Sequence, residues 1–262
     1  MFSKLLGIPV ALAALAVTVM AADPEKKPAE VKGAKNLVPN GDFEEGDGTP
    51  KGWQTIDGLT TFWVKDEDPK RGKVLKFDTD VLQSQGYDWW VKIATKKGKA
   101  KDAPKKEATK EPKYDTLAGN DGVWFWSDPF PIEKDKAYWL TLDVKGPGLM
   151  VWLMGYPEKP DTSFGADEGA FVEVLKEKVS GKPAEKGRDH EGFIHKYVWK
   201  GQLAAGGSNE WKTYSRRKQP FRPTSVTPNV KWGRILILPT WPPGEYFVDN
   251  VRLVEVEDKG EK

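Results

Sequence analysis

The sequence contains no cysteine and, in 262 residues, only two histidines. Without cysteine no disulfide can form, and thiol catalysis and cysteine-ligated zinc are excluded. His190 and His195 are five residues apart, so they do not match the i, i+4 spacing of a helical zinc site, and a strand would point them to opposite faces. The fold must therefore be stabilised by its core, with or without a bound metal.

Motifs of catalysis are also missing. The sequence has no nucleophile elbow and no phosphate-binding loop. A glycoside hydrolase needs two carboxylates placed across a cleft, and although the chain has 39 acidic residues, no local motif indicates such a pair. We therefore expect a protein that is not an enzyme, while a glycoside hydrolase or a polysaccharide lyase stays open as the weaker alternative.

The first 22 residues have the pattern of a signal peptide. Lys4 gives a positive start, residues 5–19 are apolar, and Ala21 and Ala22 offer a small-residue cleavage site. The apolar run is shorter than the roughly 20 residues of a membrane span, so we expect cleavage and no membrane anchor afterwards. The sequence thus predicts a secreted, periplasmic or extracellular protein, with a disordered polar spacer at 23–35 before the folded part.

From residue 36 onward, short apolar runs alternate with clusters of Gly, Pro, Asn and Asp, while helix signals are sparse. This pattern is typical of an all-β sandwich or barrel, and we predict one domain at 36–256 followed by a charged tail at 257–262. Two insertions interrupt it: a Lys-rich loop at 92–113, interpreted as solubilising, and a Gly-, Pro- and charge-rich segment at 157–195. We expect no nucleic-acid partner. The predicted strands are 61–64, 74–78, 81–84, 88–94, 122–126, 138–145, 149–155, 194–203, 211–220, 232–239 and 245–255.

Tryptophan is unusually abundant, since the 12 Trp residues outnumber both the 11 Phe and the 7 Tyr. A buried indole N–H needs a partner, so this many tryptophans suggest that some lie at the surface, where a flat ring can stack on a ligand. A sugar is such a ligand, because it combines a patch of C–H groups with a rim of hydroxyls. The candidate ligand-binding residues are Tyr87, Trp89, Trp124 and Trp126, of which the last two share one face of a strand.

Four blocks of sequence resemble, in order, the carbohydrate-binding modules of families 4, 9, 16 and 22, the CenC type. The first is Asn36-Leu-Val-Pro-Asn-Gly-Asp-Phe-Glu44, followed shortly by Gly52-Trp53. The last is Tyr246-Phe-Val-Asp-Asn-Val-Arg-Leu253, and the blocks at 127–145 and 209–214 lie between them. The resemblance implies a jelly-roll β-sandwich of the galactose-binding-like type. It also implies that the partner is a polysaccharide or an oligosaccharide.

Asp249 interrupts an otherwise apolar strand, so its charge must be paired, exposed by alternation or bound to a metal. The resemblance implies the metal: a structural calcium between the N-terminal block and the C-terminal strand, held by Asp42, Glu44 and Asp249 through hard oxygen ligands. A salt bridge or an exposed carboxylate is the alternative.

The sequence therefore favours an exported, non-catalytic protein that stacks sugar rings on exposed Trp and Tyr side chains. The main alternative is a structural or adhesive exported jelly-roll protein without sugar binding, because this fold hosts many functions. The oligomeric state is left open.

Overall fold

The computed structural model describes residues 31–82, 84–86, 88, 89, 92, 116–120, 122–162, 197–216 and 219–257. Several predicted features lie outside the described residues. They are the signal peptide, the spacer up to residue 30, the Lys-rich loop from 93 onward, the second insertion from 163 onward with both histidines, and the tail from 258. No helix among the described residues is long and apolar enough to cross a membrane.

The described residues form mostly β-strands. In chain order the elements are β1 Gly46–Asp47, β2 Thr49–Pro50, β3 Thr61–Lys65, β4 Lys73–Asp78, α1 Leu117–Asn120, β5 Phe125–Trp126, β6 Phe130–Pro131, β7 Ala137–Gly146, β8 Leu149–Tyr156, β9 Trp199–Ala205, β10 Ser208–Ser215, α2 Pro223–Val226, β11 Trp232–Leu238 and β12 Glu245–Val256. The first sheet has the order β10-β7-β12-β4-β3, and the second has the order β5-β11-β8-β9 with β6 also paired to β11. Every one of these pairings is antiparallel.

The two sheets share one hydrophobic core, to which alternate residues of each strand contribute. On β7, Leu140, Leu142 and Val144 are buried in the core, whereas Thr141 and Lys145 on the other face are only half-buried. Each fully buried aliphatic side chain contributes about 1.5–3 kcal/mol relative to exposure. The predicted all-β jelly-roll sandwich is confirmed.

The N-terminal block is joined to the last strand by hydrogen bonds. The Asn36 side chain donates to Val251 O (2.9 Å) and accepts from Leu253 N (2.9 Å), and Val251 N donates to Gly41 O (2.7 Å). A Cβ at Gly41 would lie 2.0 Å from Val251 O, so only glycine permits this approach. The first and the last of the four blocks that carry the resemblance therefore lie side by side in the fold.

Two predicted strands, 81–84 and 88–94, are wrong at the residues that the structure describes. Leu82 forms an isolated bridge with Thr116, and residues 84–86, 88, 89 and 92 have helical backbone. In a window this short, apolar spacing does not separate a strand from a helix. Trp89 is consequently not a strand residue that alternates with its neighbour; it is half-buried and packs against the main core.

Candidate functional site

The outer surface of the second sheet carries a cluster of large side chains. Residues at alternate positions of β5, β8 and β11 point away from the main core and pack on one another in a separate cluster. Across the strands, Trp126 pairs with Leu236 and Leu236 with Trp152, while Trp232 pairs with Tyr156. We name this surface the aromatic face, and it comprises Trp124, Trp126, Trp152, Met154, Tyr156, Tyr197, Lys200, Gln202, Trp232, Arg234 and Leu236.

Such a surface is unusual for this architecture. An antiparallel sheet with one side on the core normally turns polar side chains to the other side. Here Trp124, Trp152 and Trp232 are half-exposed on that other side, above a buried layer that includes Trp126 and Tyr156. Large apolar patches on a protein surface commonly mark interaction sites.

Cations lie over the rings of the aromatic face. Lys200 Nζ is 4.9 Å from the Trp152 ring centroid, and Lys159 Nζ is 5.4 Å from that of Trp232. In the buried layer, Arg234 Cζ is 5.0 Å from the Trp126 centroid, and Arg234 Nε donates to the backbone oxygen of Ser127 at 2.7 Å. Burial lowers the pKa of Arg234 to about 10, opposed in part by nearby acidic groups, so the guanidinium stays charged at neutral pH.

The hydroxyl of Tyr156 is the second polar group of the buried layer. It is buried, and it makes no hydrogen bond to any residue of the described chain. Burial raises the pKa of Tyr156 to about 12, so the group is a neutral donor and acceptor at physiological pH. A buried hydroxyl without a hydrogen-bond partner costs about 1–3 kcal/mol of stability.

Of the four predicted ligand-binding residues, two belong to the aromatic face. Trp124 and Trp126 lie with ring centroids 6.5 Å apart and planes tilted by 50°. Trp126 is only 1% exposed, however, so its ring forms part of the buried layer and offers no face for stacking. Trp89 packs against the main core instead, and Tyr87 lies outside the described residues.

Sequence reasoning missed Trp152, Tyr156, Trp232 and Arg234 as parts of one site. The available signal was that β8 and β11 carry large side chains at both alternating positions, which indicates strands covered on both faces. That signal says nothing about which strands are neighbours. Their convergence depends on the pairing of β8 with β11, and these strands are separated by more than 70 residues in sequence.

The predicted metal ligand Asp249 lies on the outer face of the first sheet and has an arginine partner. Arg71 Nη1 is 3.0 Å from Asp143 Oδ2 and 3.1 Å from Asp249 Oδ2. Asn250 completes the contact by donating its side-chain amide to both carboxylates, at 3.0 and 3.2 Å. The Arg71 guanidinium also lies 4.2 Å from the Trp211 ring centroid, so one cation bridges two strands and an aromatic ring.

The two carboxylates of this cluster differ in their proton affinity. Burial raises the pKa of Asp249 to about 6, despite hydrogen bonds from Asn250 and Arg71. Burial acts in the same direction on Asp143, but hydrogen bonds from Thr213, Asn250 and Arg71 outweigh it and lower the pKa of that group. Asp143 therefore carries the more firmly held negative charge beside Arg71.

The other predicted metal ligands, Asp42 and Glu44, are exposed on the rim of a shallow depression of about 570 Å³ that Arg71 and Asn250 also line. Glu44 Oε1 accepts a hydrogen bond from Lys73 N at 2.8 Å. Among the described residues, no group of three or more acidic or histidine side chains is placed to hold a metal ion. Arg71 already supplies a positive charge to Asp249, which disfavours a calcium ion at the same carboxylate. Calcium binding therefore stays a prediction that rests on the sequence resemblance alone.

The fold and this face together define the class, an all-β jelly-roll sandwich with an aromatic outer surface on one sheet. No protein-family model and no curated protein matches the chain. Among solved structures it is similar to the enzymatically active domain of bacteriophage CBA120 tailspike protein 4, with 11% identity and a TM-score of 0.44, covering 84% of this chain and 21% of that one. It is also similar to the CBM22-1 xylan-binding domain of Paenibacillus barcinonensis Xyn10C, with 9% identity and a TM-score of 0.37, covering 88% and 99%. A third is TmCBM61 in complex with beta-1,4-galactotriose, with 12% identity and a TM-score of 0.36, covering 84% and 99%. At these TM-scores the similarity says nothing about ligand or activity.

Proposed function

We propose that this protein is an exported, non-catalytic carbohydrate-binding protein that stacks sugar rings on the aromatic face. The observation that carries the proposal is the set of three half-exposed indoles on one sheet, Trp124, Trp152 and Trp232. Flat aromatic rings match the C–H face of a sugar, and polar groups that can orient it are present beside the rings in the exposed side chains of Gln202 and Lys200.

The chemistry of the face supports binding rather than hydrolysis. Glycoside hydrolysis requires a pair of carboxyl groups across the scissile bond. None of the residues that form the aromatic face is acidic, and its charged members are Lys200 and Arg234. The sequence resemblance to carbohydrate-binding modules points the same way, and the signal-peptide pattern supports export.

The proposal is tested by affinity electrophoresis and isothermal titration calorimetry against a panel of plant, bacterial and algal polysaccharides. We expect at least one glycan to bind, and Trp152→Ala and Trp232→Ala each to weaken that binding by at least tenfold. Trp241→Ala is the matched control, because Trp241 is 55% exposed and lies in the loop between β11 and β12, outside the aromatic face.

Three results would contradict the proposal in different ways. Absence of binding to every glycan would favour the structural or adhesive alternative. Binding that is lost only in Trp241→Ala would move the site away from the aromatic face. Release of reducing ends or unsaturated products from a bound glycan would show that the protein is an enzyme.

A further inference from the structure

The lysines on and beside the aromatic face have no ion-pair partner among the described residues. Lys159 and Lys200 are both exposed, and neither forms an ion pair with any residue of the described chain. Each instead places its ammonium over a half-exposed indole, Lys159 over Trp232 and Lys200 over Trp152. Trp152 and Trp232 are thus each accompanied by a lysine that has no ion-pair partner among the described residues.

Arg234, the buried cation of the face, is not accessible to a ligand. Electrostatic interactions with Tyr156, Asp128 and Asp161 raise the pKa of Arg234 against the larger effect of burial, so its charge is already partly balanced by the protein. Its guanidinium is also 1% exposed and faces Trp126. The charge available to a ligand is therefore that of the two lysines.

Stacking of a sugar on either indole changes the environment of the lysine. An exposed cation–π contact is weak, so an incoming sugar ring can displace the ammonium to the edge of the indole. A neutral sugar offers no charge in return for the lost contact. A sugar that bears a carboxylate or sulfate gives the displaced ammonium an ionic hydrogen-bond partner at the rim of the site.

The spacing of the two lysine–tryptophan pairs indicates a chain rather than a single sugar. Trp152 on β8 lies beside Leu236 on β11, and Leu236 is four residues from Trp232 on the same strand. The two indoles are therefore separated by roughly 13 Å along the strand direction. One sugar ring cannot contact both indoles over that distance. A polymer with repeated anionic groups can meet both pairs at once and gain from the linked contacts.

We propose that the aromatic face binds an anionic polysaccharide, one that carries carboxylate or sulfate groups, in preference to a neutral one. Lys159 and Lys200 pair with the anionic groups while Trp152 and Trp232 stack on the rings. This inference rests on the proposed carbohydrate-binding function and names the class of its ligand.

The test compares polymers that share a backbone and differ in charge. Polygalacturonate is measured against the same polymer after carboxyl reduction, and dextran sulfate against dextran, by titration calorimetry at low and high salt. We expect at least one anionic polymer to bind tenfold or more tightly than its neutral counterpart, with the preference falling at high salt. A preference within the polygalacturonate pair identifies carboxylate as the recognised group, and a preference within the dextran pair identifies sulfate.

Lysine variants locate the effect on the protein. Lys159→Met combined with Lys200→Met removes two charges from the aromatic-face region and should abolish the preference by weakening the binding of the anionic polymer to that of its neutral counterpart. Lys65→Met combined with Lys212→Met is the matched control, because both lysines are exposed on the first sheet. Equal loss in both double variants, or equal or tighter binding of neutral polymers by the wild type, would overturn the inference and leave carbohydrate binding intact. Absence of binding to every polymer would instead refute the proposed function itself.

Discussion

Replacing Arg71 by methionine is expected to destabilise the fold strongly. Methionine keeps much of the side-chain length but removes the cation that Asp143 and Asp249 share. The Asp249 side chain is 2% exposed and the Asp143 side chain 13%, so water has little access to Asp249 and only partial access to Asp143. Removal of one partner from a buried ion pair typically costs about 3–5 kcal/mol.

We expect the lower part of that range for two structural reasons. The pKa of Asp249 is already raised to about 6, so loss of the arginine lets this group take up a proton near neutral pH and relieves the repulsion. The Asn250 amide also continues to donate to both carboxylates. The expected loss is therefore about 3 kcal/mol in the free energy of unfolding.

Urea denaturation followed by tryptophan fluorescence measures this loss at pH 7, and the m-value should stay unchanged if only stability is affected. Lys70→Met is the matched control, because Lys70 is an exposed cation in the same turn. Asp249→Asn should recover part of the loss when added to Arg71→Met, because it removes a carboxylate that has lost its partner. A loss below about 1 kcal/mol, or strictly additive effects in the double variant, would refute the bridging role of Arg71.

Thermal melting of the wild type tests whether calcium stabilises the fold. If Arg71 supplies the cation at Asp249, then neither EDTA nor added calcium should change the melting temperature of the wild type. A melting temperature that falls in EDTA and returns with calcium would show that a metal contributes to the fold, as the sequence resemblance implies.

Three further outcomes are expected. Gly201→Ala should lower stability by about 1–3 kcal/mol in urea denaturation, because its Cβ would lie 2.3 Å from the buried Phe221 ring; no change would contradict the tight contact. Asp57→Ala should cost about 3 kcal/mol or more in the same assay, because the carboxylate accepts hydrogen bonds from three backbone N–H groups and one hydroxyl, whereas Asp57→Asn should cost less. Burial raises the pKa of Tyr156 to about 12, so the unfolded chain loses this proton first, and stability should fall as pH rises from 10 towards 12. Tyr156→Phe should make that decline shallower in melting experiments, and an unchanged slope would contradict it.

Much of the fold could be predicted from local sequence pattern. The alternation on β7 and the apolar-aromatic character of β12 identify strands because side chains at every second position must face the core. The strand prediction at 88–94 failed at Trp89. Adjacent tryptophans favour a strand by propensity, whereas Trp89 packs against the core from helical backbone. Tertiary packing, which the local pattern does not contain, decides between these outcomes.

The candidate site could be predicted only in part. Trp124 was identified because an indole two residues from another one marks a single face of a strand. Trp152 and Trp232 join it through the pairing of separate strands, which no local pattern records. Arg71, the partner of Asp249, is likewise 178 residues away in sequence and lies in a turn without a recognisable motif. The sequence could therefore indicate that Asp249 needs a countercharge, but it could not identify Arg71 as the source.

The position of β12 has a consequence for how the protein comes into being. This strand lies in the middle of the first sheet, between β7 and β4, and its Val251 and Leu253 hold the segment around Asn36. Until β12 has been synthesised, β10–β7 and β4–β3 remain two separate strand pairs with no shared sheet. The first residues of the fold must therefore wait for the last ones, and a chain truncated before β12 lacks the strand that joins the two halves of the first sheet.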